Sequence, residues 1–152
     1  MKLKFDACSL IESQKLGIIP LINQLHGKIY ITDEVYNEAI GRGLHNHNPV
    51  ADHLEEHIEQ GWIRKIDSHG IIRANLGIGE AETIAEVIHE NQTEENIAFV
   101  SEDKKALKEA IKNNLDVRSI TILLLESCIS GLITEDEFEE KIISFNKFHK
   151  LG

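Results

Sequence analysis

One feature constrains this chain more than any other. Short apolar runs alternate along it with segments of helical period. Leu3 to Ala7, Lys28 to Ile31, Trp62 to Ile66, Ile97 to Val100 and Val117 to Ser119 read as strands. Between them, residues 9–16, 19–25, 33 to 41 or 43, 50–59, 79–90 and 102–113 read as helices, and two more close the chain at 120–130 and 135–148. Parallel neighbours need a crossover connection, most often a helix, so this order predicts an α/β fold on a mainly parallel sheet. Thr32 is a good N-cap with Asp33 and Glu34 in the first turn, and Gly17 and Gly61 punctuate the helices before them. The 152 residues are expected to form one domain, 1–152, long enough for a single well-buried core.

Charge narrows the function. Lysines and arginines number 16 against 26 acids, a formal net charge of −10. That excludes a whole-surface grip on nucleic acid, so a phosphate-bearing substrate needs a local basic edge or a bound cation. No apolar stretch approaches the ~20 residues of a membrane helix, and no membrane partner is expected. The N-terminus lacks a signal-peptide apolar region. Cys8 and Cys128 are too few for a disulfide framework and read as buried free thiols in a reducing cytoplasm.

Most acids of such a chain are solvated, so the informative ones break the amphipathic pattern. In the stretch 102–113, Ala106, Leu107, Ala110 and Ile111 set the apolar stripe. At ~100° per residue Asp103 falls within about 10° of its centre and Glu102 about 110° away, so Asp103 is expected to point inward. In the helix from Gly79, Glu80 falls about 70° from the stripe and looks to the core edge. Glu82, Glu86 and Glu90 form an i, i+4 ladder on the opposite face and read as solvated. Asp6 ends the first strand. Ligands of open α/β sheets bind outside the carboxyl ends of the strands. Carboxylates converging there repel one another unless a hard divalent cation neutralises them, and Mg²⁺ or Mn²⁺ suits an all-oxygen site.

Four segments then carry a resemblance. Phe5-Asp6-Ala7-Cys8-Ser9, Ile31-Thr32-Asp33-Glu34-Val35-Tyr36-Asn37-Glu38, Leu76-Gly77-Ile78-Gly79-Glu80-Ala81-Glu82 and Phe99-Val100-Ser101-Glu102-Asp103-Lys104 resemble, in order, the four motifs of PIN-domain nucleases. The resemblance spans about residues 3–130. It implies a three-layer α/β/α sandwich on a short, mainly parallel sheet. It implies a Mg²⁺- or Mn²⁺-dependent endoribonuclease whose metal-binding acids are Asp6, Glu38, Glu80 and Asp103. Glu38 rests on the resemblance alone, because helical phase puts it about 130° from the stripe of Val35, Tyr36, Ala39 and Ile40. Ser101 is expected mainly to cap the helix at 102–113 and only secondarily to serve the site. Two residues depart from the family pattern: Cys8 stands where Ser or Asn is common, and Glu80 where Asp is. Many small bacterial members are VapC-type toxins, which implies a cognate antitoxin and dimer formation.

Rival readings remain beside this one. Lys104, Lys105, Lys108 and Lys112 line the outer side of their helix, where they either guide RNA phosphates or serve solubility; Arg42 and Arg73 are weaker candidates. His45, His47, His53 and His57 fall within 13 residues, and the one-turn spacing of the last two would suit zinc. The alternatives to the nuclease are therefore a non-catalytic PIN-like binding module and a zinc-binding protein.

Overall fold

The computed structural model describes residues 1–67, 70, 76–91 and 96–151. Among them, five parallel strands form one sheet in the order β3-β2-β1-β4-β5. They are β1 (Lys2–Phe5), β2 (Ile29–Thr32), β3 (Ile63–Ile66), β4 (Ile97–Val100) and β5 (Asp116–Arg118). The helical elements are α1 (Ala7–Lys15), α2 (Ile19–His26), α3 (Asp33–Tyr36), a π turn (Asn37–Gly41), α4 (Arg42–His45), α5 (Pro49–Glu59), α6 (Ile78–Asn91), α7 (Lys104–Lys112), α8 (Ile120–Ile129) and α9 (Glu135–Leu151). The α/β class and its parallel sheet agree with the sequence. Boundaries shift by up to three residues, as at the end of α9, and Ala7 starts a helix rather than ending a strand.

Alternation along the strands builds the three layers. Leu3 and Phe5 of β1, Ile29 and Ile31 of β2, and Ala98 and Val100 of β4 face one core, completed by Leu10, Ile22, Leu54, Leu123 and Leu124 from helices on that side. Ile97 and Phe99 of β4 face the other, against Ile84 and Val87 of α6 and Ala106 and Ala110 of α7. Lys4 points to this second side and is 1% exposed. Its ammonium is met by Glu90 and, at 3.8 Å, by Glu86 of α6.

That arrangement corrects the reading of α6. Glu86 is 1% exposed, Glu90 is partly buried, and Glu82 accepts the Glu34 N–H at 3.2 Å. Glu86 and Glu90 turn inward because the sheet offers them a lysine at its centre, and a buried carboxylate is tolerated where a cation meets it. The cysteines need correction too: Cys8 is exposed and Cys128 half-buried, both as free thiols.

The strand order reverses at β1 and β4, which places the topological switch point between them. Their register, Lys2 with Ile97 through Phe5 with Val100, ends both strands together. Residues Asp6 and Ser101 thus leave the sheet side by side.

Candidate functional site

Asp6 is held by what surrounds its two oxygens. With φ −80° and ψ 170° it is the N-cap of α1, and Oδ1 accepts the Ser9 N–H at 2.9 Å. Oδ2 accepts the Ser101 hydroxyl at 2.5 Å. The side chain is 2% exposed, and burial pushes its carboxyl above the ordinary value although these hydrogen bonds pull the other way.

Ser101 therefore does not cap the helix after β4. Asp103 does: Oδ1 accepts the Ala106 N–H at 2.9 Å, while Ser101 Oγ takes the Asp103 N–H at 3.0 Å. Asp103 is exposed rather than directed at the core. The reason is local. An N-cap has extended backbone, here φ −76° and ψ 121°, so the ~100° helical step does not carry through to it. Glu102 is half-buried and accepts the Ile120 N–H at 2.5 Å, tying the end of β4 to the start of α8.

Glu38 sits in the π turn after α3, half-buried. A π turn closes over five residues instead of four, so the side chains beyond it are re-aimed relative to an α-helix. This explains why α-helical phase failed to single it out. Gly79 at the start of α6 presses against its carboxylate: a Cβ there would lie 2.8 Å from Glu38 Oε1. The Gly79 N–H bonds that carboxylate and, with Arg42 nearby, opposes the upward pull of burial and of Glu34. Glu80, one residue on, is half-buried and accepts the Gly77 N–H at 3.3 Å. Burial first, then the charges of Asp103, Asp6 and Glu38, raise its pKa to about 7.

These four acids come from four separate stretches of chain and line one pocket of about 140 Å³, with Ala7, Cys8 and Gly77 as the remaining lining. Among the described residues, no lysine, arginine or histidine lines that wall. Burial and the surrounding acids also hold the Cys8 thiol protonated beyond its usual range. Sequence reasoning missed Gly77 and Gly79, whose N–H groups orient Glu80 and Glu38. The signal was the glycine pair just before Glu80.

A PIN-domain family model, DUF3368, matches residues 3–148. The chain belongs to the PIN-domain family. A solved structure, described as a PilT N-terminus domain protein from the hyperthermophilic archaeon Sulfolobus solfataricus, superposes with a TM-score of 0.56 at 18% identity, covering 84% of this chain and 93% of that one. At that identity the likeness establishes the three-layer fold. No curated protein matches the chain. PIN domains are commonly nucleases, and those nucleases usually bind a divalent metal.

The donor chemistry of the pocket fits such a cation: four carboxylates, burial and then mutual repulsion that lift Glu80, and no counter-charge among the described residues of the wall. The fit is one of donor type and charge, because among the described residues no three His, Cys, Asp or Glu side chains are already drawn together around a single point. Lys104 and Lys105 are exposed at the start of α7, directly after Asp103. Among the described residues, the histidine cluster is not assembled into a ligand set. His57 meets Gln14 at 2.9 Å and stacks on Trp62, and His53 faces Glu56 from the exposed side of α5. Arg73 and the His45 side chain lie outside the described residues. No helix among the described residues is long and apolar enough to cross a membrane.

Proposed function

We propose that this PIN domain, residues 1–152, is a metal-dependent endoribonuclease using Asp6, Glu38, Glu80 and Asp103. One observation carries the reading: four carboxylates line one pocket at the carboxyl edge of the sheet, at its switch point, and no lysine, arginine or histidine lines it among the described residues. A buried acid without a counter-charge is costly, so such a pocket is made for a positive ligand. Mg²⁺ or Mn²⁺ bound there would supply the charge that draws in a phosphodiester and polarises the attacking water.

The chain's own residues do the positioning. Ser101 and the Ser9 N–H lock the Asp6 carboxylate in one rotamer. The Gly79 and Gly77 N–H groups aim Glu38 and Glu80. Asp103 is fixed by its capping bond, leaving one oxygen for the pocket. Lys104 and Lys105 stand at the rim, where a phosphate strand would meet its first positive charge. A role as the toxin of a toxin–antitoxin pair, restrained by a cognate antitoxin and acting as a dimer in a reducing cytoplasm, extends this reading; two free cysteines accord with that compartment.

The test pairs Mn²⁺ titration by calorimetry with cleavage of single-stranded RNA, wild type against Asp6→Asn, folding checked by circular dichroism. Divalent-dependent cleavage that vanishes in a folded Asp6→Asn supports the nuclease. Cleavage that persists in that variant removes it, and a wild type that neither binds Mn²⁺ nor cuts favours the non-catalytic binding module.

A further inference from the structure

Helix α8 is apolar on both sides. Ile120, Leu123 and Leu124 are buried in the core. Ile122, Leu125 and Ile129 face out at 42%, 40% and 78% exposure, spaced three and four residues apart. That is a continuous stripe along one helix face, continued by Leu132 at 40% just beyond its end. An ordinary surface helix keeps one apolar face, and a contiguous exposed apolar stripe marks an interaction site.

The stripe borders a groove of about 440 Å³ between α8 and α9. Leu125, Cys128, Ile129 and Phe138 form its floor, and Glu135 and Glu139 stand on its α9 wall. Those two acids belong to an exposed run with Asp136, Glu137 and Glu140 at the start of α9. The groove thus combines an apolar floor with a one-sided acidic rim.

We propose that this α8–α9 face docks a basic amphipathic helix of a partner protein, with its apolar side on Leu125 and Ile129 and its lysine or arginine flank against Glu135 and Glu139. Charge complementarity selects this occupant over a second copy of the chain. An isologous contact would bring each copy's acidic run toward the other's, in a protein whose formal net charge is already −10. The apolar floor supplies the anchor, and the acid rim sets orientation and excludes acidic helices. The groove is built from α8 and α9, whereas the carboxylate pocket is built from residues on α1, the π turn, α6 and the start of α7, so docking and metal binding can be tested apart.

The probe is a synthetic amphipathic peptide of about 18 residues with leucines at i, i+3, i+4 and i+7 and lysines on both flanks. Calorimetry with the wild-type chain is expected to give a 1:1 complex. Ile129→Glu should weaken it by at least about tenfold, and Glu135→Lys with Glu139→Lys by a similar factor, with Mn²⁺ binding unchanged in both. Higher salt and replacement of the peptide's lysines by glutamate should weaken it as well. Ile122→Glu on the same stripe serves if Ile129→Glu fails to fold. No binding by wild type overturns the proposal, as does equal binding by the glutamate peptide or by the variants. Sedimentation showing a wild-type dimer that Ile129→Glu makes monomeric would give the face to a second copy instead.

Discussion

Helix α6 carries acids at both ends, and the two ends behave oppositely. At its start, Glu80 shares a pocket with three other carboxylates and its pKa rises to about 7. Near its end, Glu90 is met by Lys4 and lies 3.6 Å from Lys2, and its carboxyl is held below the ordinary value by them against the cost of burial. Glu86, beside it, is buried deeper than Glu80 and faces the same lysine. Where the fold brings its own cation, acids are structural. At the pocket, where none of the described residues brings one, burial and neighbouring acids raise Glu80 instead.

Four experiments can break or sharpen that contrast. The largest effect is expected for Asp6→Asn. Asparagine caps a helix about as well as aspartate, so α1 should hold. RNA cleavage should fall about 10²–10³-fold with the loss of several kcal/mol of transition-state stabilisation, and the Mn²⁺ heat should vanish. Unchanged cleavage would place the chemistry elsewhere.

At the other end, Lys4→Met removes the buried cation that Glu86 and Glu90 face. Urea titration should show a loss of about 3–5 kcal/mol, with Mn²⁺ affinity in the folded fraction preserved. Lys4→Met with Glu86→Leu should recover much of it. A drop in Mn²⁺ affinity matching the stability loss would show that the two ends of α6 are one system.

Gly79→Ala should have a smaller effect than either. Its Cβ would stand 2.8 Å from Glu38 Oε1, and the carboxylate must turn away from its backbone donor. Disturbing a partner that orients a ligand typically weakens metal binding about 10–100-fold. Equal Mn²⁺ affinity in Gly79→Ala would remove Glu38 from the ligand set.

The smallest effect is one of pH on the metal-free protein. Glu80 has a folded pKa near 7 against 4.5 for the ordinary group, so the folded state binds its proton more tightly. That contribution to stability is fully present below about 4.5 and is lost as pH rises through about 7. Glu90, shifted downward, contributes stability above its ordinary value that is lost as pH falls through its folded pKa. Subtracting the denaturation profile of Glu80→Gln from wild type should leave a difference that falls with rising pH between these limits. A flat difference would mean that the pocket does not strain Glu80.

Periodicity singled out Glu80 and Asp103, the end of the first strand marked Asp6, and the order of segments pointed to the α/β class with its parallel sheet. It failed wherever the backbone left the regular helix. Asp103 is a cap with extended dihedrals, so the phase that pointed it inward had no helix to act on. Glu38 lies in a π turn, and only its family motif marked it. Glu86 and Glu90 looked solvated because a helical wheel has no knowledge of a lysine on β1 in the adjacent layer.

By itself, then, the chain's local pattern determined which stretches become strands and helices, because hydrophobic period and capping are properties of neighbours in sequence. Which acids would be neutralised and which left facing one another was decided only by the tertiary structure. The paired ends of β1 and β4 set Asp6 beside Ser101, the start of α6 laid Gly79 against Glu38, and the pleat of β1 turned Lys4 toward Glu86. A carboxylate's environment depends on charges brought near it through space, and those come from residues tens of positions away along the chain.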